Sequence, residues 1–536
     1  MIMEIEHISR KSPPPPPPFH SCRSLARRFC HFLLFRCDPF FLQFLYFLLI
    51  SLSGFLLLRS PAVAGRGRHI EDLDLFFTSV SASTVSSMDT VEMESLSRAQ
   101  LWVLVVLMLA GGEVFTSLLG LHFTSLKLRL KREDSTVGSG GELEDKREVL
   151  RWLGYAVLGY LLCFHLAGIF LVSVYFAVAR DAREVLRRKA IGVPVFAVFL
   201  VVSSFSNCGF VPTNENMAVF KNDSTLLLIV IPQILAGNTL FPCGLRLAAW
   251  VAKRAARRKE LAGVLLAPEA VASEYKHLLP RRHCVYLAAT AVGFVAVQVA
   301  MVCAQEWRSS PEVLGGMEWY RKLVAALFEA VNSRHTGETV VDVSKLSPAI
   351  LVLIAVMMYV PSYTYFVPRR ERDSWNFIKS KYNETKMLRR SLHFSLICFP
   401  IIFVFLICIT ERGAFSIDPL NFNIFNVIFE VIRKACYLLY NTKIIYYHYR
   451  YHYHYHYQFV FVDGGISYSA HGNVGFSVGY SCERRMKVNP NGSCKDASYG
   501  FVGRWSSKGK IILMMVMLLG RLKKFQMNGG KAWMFG

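Results

Sequence analysis

Eight stretches of this chain run for 20 residues or more almost without a charge: 39–58, 100–123, 152–179, 190–210, 225–245, 283–305, 346–368 and 391–410. A ninth, shorter stretch runs from Ile511 to Gly520. An apolar run of about 18 residues is long enough to cross the hydrocarbon core of a bilayer as a helix. Lipid offers the backbone no hydrogen-bond partners, so the spans must satisfy their own N–H and C=O groups. The expected fold is therefore an all-α polytopic membrane protein with about eight transmembrane helices, and a soluble globule is excluded. The formal net charge of +23 could mark a nucleic-acid binder, but the 61 Lys and Arg sit mostly in short loops between apolar runs. That placement points to a lipid bilayer as partner and to no nucleic acid.

The same charges orient the chain, because Lys and Arg accumulate in cytoplasmic loops. Lys253 to Arg282 holds eight basic residues against three acidic, and so does Arg369 to Arg390; both are expected inside. Arg59 to Glu94 carries six acidic residues against three basic and is expected outside. Arg180, Arg183, Arg187, Arg188 and Lys189 break the pattern, since the same topology puts them outside. Residues 1–38, with six prolines from Pro13 to Pro18 and four arginines from Arg23 to Arg36, read as a cytoplasmic polyproline II tail ahead of a retained first helix.

The run 190–210 closes on Ser206-Asn207-Cys208-Gly209-Phe210, too polar and small for a lipid-exposed helix end and suited to a re-entrant loop. Three similar pieces stand elsewhere: Thr84-Val85-Ser86-Ser87-Met88, Arg334-His335-Thr336-Gly337-Glu338 and Gly472-Asn473-Val474-Gly475-Phe476. Their fourth positions, Ser87, Gly209, Gly337 and Gly475, are spaced by 122, 128 and 138 residues. That period fits a helix, a re-entrant segment, a second helix and a cytoplasmic loop, repeated four times. Short helices are expected before each piece, over Asp74 to Ala82, Pro194 to Ser204, Lys322 to Asn332 and Asn421 to Ile432. Helix C-termini aimed at the membrane centre favour a cation there, and glycine permits the positive φ that lets carbonyls line a narrow path.

At these residues the chain resembles the plant HKT transporters of the Trk/Ktr/HKT cation-transporter superfamily. The likeness runs through Phe205 to Met217, Ile231-Pro232-Gln233, Gly237 to Pro242, Asn332 to Glu338, Asp418 to Asn423, Gly472 to Ser477 and Lys495 to Ser506. It implies four M1-P-M2 units around one central pore in the plasma membrane: 39–126, 150–252, 283–368 and 391–525, with a cytoplasmic tail at 526–536. It also implies a selectivity filter of Ser87, Gly209, Gly337 and Gly475. Serine at the first position places the chain with the sodium-selective class; the alternative is a potassium or sodium/potassium-cotransporting member. Arg521 matches the family's arginine in the last helix, facing the path below the filter, whereas by position alone it could equally anchor the helix at the inner surface. The family is commonly dimeric, so a homodimer is a further expectation. No cofactor is implied; the transported ion is sodium, or potassium in the alternative.

The chain departs from the family pattern once. Between Phe429-Glu430-Val431-Ile432 and Ser469-Ala470-His471-Gly472 stand 36 extra residues, Arg433 to Tyr468, and without them the last filter spacing would be 102. They contain Tyr451-His452-Tyr453-His454-Tyr455-His456-Tyr457, which reads like a translated simple nucleotide repeat. A retained intron, giving an inactive product, is the preferred account. A metal-binding strand presenting His452, His454 and His456 on one face is the lesser reading.

Smaller features complete the expectations. Glu113 is an ionisable residue at membrane depth and is expected to face the bundle interior. Of the sequons at Asn222, Asn383 and Asn491, the topology puts Asn222 and Asn491 outside, open to glycosylation, and Asn383 inside. Cys482 and Cys494 share that outer segment, where a disulfide and two free thiols are both open to them. No phosphate loop and no His-Glu-x-x-His motif occurs, so no enzyme and no metal site is expected.

Overall fold

The computed structural model describes residues 39–64, 70–134, 140–255, 281–307, 313–359, 402–435 and 499–524, with short pieces at 36–37, 278–279, 363, 365–368, 459–462, 477, 479–480 and 482. The architecture is helical. The first unit comprises α1 (Pro39–Arg59), α2 (Asp72–Ser83), α3 (Arg98–Gly111) and α4 (Glu113–Asp134). The second comprises α5 (Gly140–Val178), α6 (Arg180–Arg188), α7 (Val193–Ser206), α8 (Ser224–Gly237) and α9 (Phe241–Ala255). The third comprises α10 (Arg281–Glu306), α11 (Trp319–Asn332) and α12 (Pro348–Tyr359). In the fourth, α13 covers 402–410, α14 Ile424–Ala435 and α15 Ser507–Lys524.

Among the described residues, Phe40–Arg59, Arg147–Val178 and Arg281–Glu306 are each long and apolar enough to cross a membrane. The other spans of the first two units are broken. α3 and α4 meet at 56°, and α8 and α9 at 84°. Both breaks follow a glycine pressed on a neighbouring pore helix: a Cβ on Gly111 would overlap Ser83 O, and one on Gly237 would overlap Phe205 O. Ser83 lies four residues before Ser87 and Phe205 four before Gly209, so the two contacts are one contact repeated. Glycine is needed there because only a bare Cα lets the span's backbone reach a carbonyl at the foot of the filter.

The pore helices α2, α7, α11 and α14 extend one to three residues past the expected ends, except that α11 ends at Asn332 as expected and α14 starts at Ile424, three residues after the expected Asn421. Asp72 and Asp74 open α2, complementing its N-terminal dipole. Its buried second half packs through hydroxyls: Ser79 donates to Ser51 O at 2.6 Å, and Ser83 and Ser51 share a 2.6 Å bond. Small polar side chains let helices approach closely where the hydrophobic effect gives no drive between them. A capping box of Ser97 and Gln100 starts α3. Aromatic packing of Phe176, Phe196 and Phe220 fixes α5 against α7.

The outer basic residues that contradict the charge rule have a local account. α6 and α7 meet at 96°, and between them Lys189 Nζ lies 2.6 Å from both Glu94 and Glu215. Burial disfavours its charge, but those two carboxylates outweigh that and hold its pKa above the ordinary lysine value. One cation thus staples the outer loops of units one and two.

One two-stranded sheet departs from the all-α expectation. β1 (Tyr365–Pro368) pairs antiparallel with β2 (Phe459–Val462), Tyr365 opposite Val462 and Pro368 opposite Phe459. β2 belongs to the extra segment and β1 ends the third unit, directly before the basic stretch 369–390. Part of this segment thus pairs with the strand just before residues 369–390. His452, His454 and His456 lie outside the described residues.

Candidate functional site

Three of the four expected filter positions are described, and they share one backbone conformation: φ is 58° at Ser87, 84° at Gly209 and 90° at Gly337. Gly475 lies outside the described residues. Each piece hangs from the C-terminus of its pore helix by one long-reaching bond: Ser86 N donates to Ser81 O (2.8 Å), Cys208 N to Ser203 O (2.9 Å) and Gly337 N to Asn332 O (3.2 Å). The pieces then meet. Ser87 Oγ donates to Thr336 O at 3.0 Å and to Cys208 O at shorter range. A Cβ on Gly209 would collide with Thr336 O and with that same hydroxyl. The side chain of unit one therefore occupies the space beside the carbonyls of units two and three. With one proton and two acceptors in reach, the hydroxyl can bond one of these carbonyls at a time.

A buried polar frame surrounds this ring. Ser204, on α7, donates to Glu338 Oε1 at 2.6 Å, tying pore helix two to the piece of unit three. Glu338 N donates to Asn332 Oδ1 (3.1 Å), and Val340 N to Glu329 Oε2 (3.2 Å). Thr239, in the α8/α9 break, shares a 2.7 Å bond with His335 Nε2. In unit four, Ser477 donates to Glu430 Oε1 at 2.6 Å. None of these partners was expected from sequence, and three of the bonds join residues 47 to 134 apart in the chain. The one available signal was the polar and acidic composition of helices at membrane depth.

The family TrkH, "Cation transport protein", matches residues 48–367. Cation transporter HKT1;3 of Oryza sativa subsp. japonica is 43% identical, covering 93% of this chain and 92% of its own. Sodium transporter HKT1 of Arabidopsis thaliana is 43% identical, with 86% and 88% covered. The chain belongs to the HKT cation transporters of the TrkH family. The potassium transporter TrkH of Vibrio parahaemolyticus overlays 91% of this chain and 83% of its own at TM-score 0.46 and 15% identity, too loosely to align single residues. This HKT chain is accordingly a membrane ion transporter and not an enzyme.

In this HKT protein, Arg521 on α15 is 1% exposed. It donates Nη2 to Gly111 O, at the α3/α4 break, and its Cζ lies 5.8 Å from the Phe47 ring centroid. Glu113 and Tyr46 lie within its electrostatic reach. Tyr363 donates to Glu113 Oε1 at 3.1 Å, and Tyr46 to Ala110 O at 2.9 Å. Glu113 is 6% exposed, so the carboxylate is in the bundle interior. A second buried cation, Lys510, lies 2.6 Å from Asp74 and clamps α15 to the first pore helix.

The peripheral candidates divide. Asn222 is exposed in the turn before α8. Cys482 stands in a disulfide whose partner lies outside the described residues, as do Cys494 and Asn491.

Proposed function

We infer that this HKT transporter moves sodium passively down its electrochemical gradient, through a ring of Ser87, Gly209, Gly337 and Gly475 in the plasma membrane. The observation that supports the sodium reading is the Ser87 hydroxyl, set against Cys208 O and Thr336 O. Carbonyl rings replace the hydration shell of a permeating ion. A hydroxymethyl group in that ring narrows it and draws on two of its carbonyls, so the larger potassium ion is compensated less well for losing water than sodium is. Arg521 places a fixed positive charge beneath the ring, limiting the rate of passage, and Asn222 and Asn491 are the outer glycosylation sites. Sodium transporter HKT1 of Arabidopsis thaliana, by name and 43% identity, supports the same reading.

The fourth unit decides whether the chain as written conducts. Its filter position lies 40 residues past the end of α14, against three to five in the other units. Closing a longer loop costs only about 0.6 kcal/mol per doubling, so the graver loss is anchoring by the pore helix. Both the full chain and a version joining Ile432 to Ser469 are therefore to be expressed in oocytes. Replacement of external sodium by potassium should abolish most inward current in the conducting form. An undiminished current in potassium would contradict the sodium reading.

A further inference from the structure

Two thiols from different units lie against one another at the inner side of the molecule. Cys243 stands near the start of α9, and Cys284 near the start of α10. Cys243 Sγ donates to the Cys284 carbonyl oxygen at 3.4 Å, and the two thiols also interact directly. Cys284 Sγ donates to Leu279 O at 3.6 Å, and Arg246 Nη1 donates to the same carbonyl at 2.5 Å. Both cysteines are free. Cys284 is buried with Leu279, Leu287 and Tyr363, while Cys243 is half-buried. α9 leads into the basic segment Lys253 to Arg282 and α10 emerges from it, so the pair belongs to the cytoplasmic side.

We propose that Cys243 and Cys284 form a dithiol site that hydrogen peroxide converts to a disulfide, tethering the inner half-helix of unit two to the first helix of unit three. The Cys284 thiolate attacks the peroxide O–O bond, which breaks; one oxygen stays on sulfur as a sulfenic acid and the other leaves as water with the thiol's proton. The Cys243 thiol then attacks that sulfur. The S–S bond forms, the S–O bond breaks, and the hydroxyl leaves as a second water with the Cys243 proton. Two thiols give up two electrons and one peroxide takes them. Arg246 is placed beside the sulfur that bears the negative charge in the first step. A reducing cytosol keeps the pair as thiols at rest and restores it after oxidation.

The location gives the bond a mechanical consequence. α9 hangs from the 84° break at Asn238–Leu240, the same break that offers Thr239 to His335 of the third filter piece. Tyr363, packed on Cys284, holds Glu113 beside Arg521. A bridge would fix the inner end of α9 relative to both contacts.

The proposal does not depend on which ion is carried, and its test needs no current. Membranes holding the full chain are reduced, washed, exposed to hydrogen peroxide, alkylated with N-ethylmaleimide under denaturing conditions, digested and read by mass spectrometry. The expected result is a Cys243–Cys284 linked peptide at least tenfold above the reduced control, with matching loss of alkylation at both residues and reversal by dithiothreitol. Cys243→Ser should remove the linked peptide. Full alkylation of both cysteines in the unmodified chain after peroxide would overturn the proposal, as would preferential linkage of Cys284 to a different cysteine.

Discussion

The first and second filter pieces carry the same left-handed turn with different residues in it. At Gly209 the turn suits its residue, and a Cβ there would meet Thr336 O. At Ser87 the same turn, φ 58°, holds a side chain in a region that costs a non-glycine residue about 1–3 kcal/mol. The strain is held in place by the bonds from Ser81 to both sides of the turn: Ser86 N to its carbonyl, and Met88 N to its hydroxyl at 2.9 Å. Equal turns with unequal residues mean that the three described pieces match in their main chain and differ in the side chain they carry there. The proposed selectivity rests on that one side chain.

The comparison breaks most completely in unit four, where the pore helix no longer leads into its filter piece. Deleting Arg433 to Tyr468 should raise sodium current per surface-labelled molecule from background to a level typical of a conducting channel. Equal currents from the two forms would show that the fourth piece needs no adjacent helix. The next largest effect is expected from giving unit two a side chain. In the form that joins Ile432 to Ser469, Gly209→Ala puts a Cβ against both Thr336 O and the Ser87 hydroxyl, so current should fall by an order of magnitude or more at unchanged surface labelling, the collision adding to roughly 1–3 kcal/mol of backbone strain.

Arg521→Gln leaves the ring intact and removes the charge beneath it. Current size or rectification should change several-fold while the sodium preference stays, and the current–voltage curve reads both. The smallest effect concerns the outer staple. Lys189→Ala removes bridges to Glu94 and Glu215 that are partly exposed, so thermal unfolding in detergent should move by no more than about 1 kcal/mol allows, a few degrees.

Much of this was legible in the chain itself. Apolar length announces the spans, and the recurrence of one small residue at a similar interval announces the turn shared by Ser87, Gly209 and Gly337, because positive φ favours glycine. The breaks at Gly111 and Gly237 were not legible, since they exist only where a pore-helix carbonyl presses on the glycine, and that carbonyl is 28 or 32 residues away in sequence. Nor were the pairs Lys510–Asp74, 436 residues apart, and Ser204–Glu338, 134 apart, because a charge or hydroxyl at membrane depth does not say which partner satisfies it. Lys189 misled the charge rule for the same reason: its carboxylate partners come from two other loops.

The central claim is that the Ser87 side chain sets the ion preference, and the reversal potential of Ser87→Gly tests it most directly. Made in the form that joins Ile432 to Ser469, the variant relieves backbone strain and frees Cys208 O and Thr336 O, so it should conduct at least as well as that parent. When external sodium is replaced by potassium, a tenfold rise in relative potassium permeability moves the reversal potential by about 59 mV, and a positive shift of that order relative to the parent is predicted. An unchanged reversal potential in a variant that conducts would contradict the account.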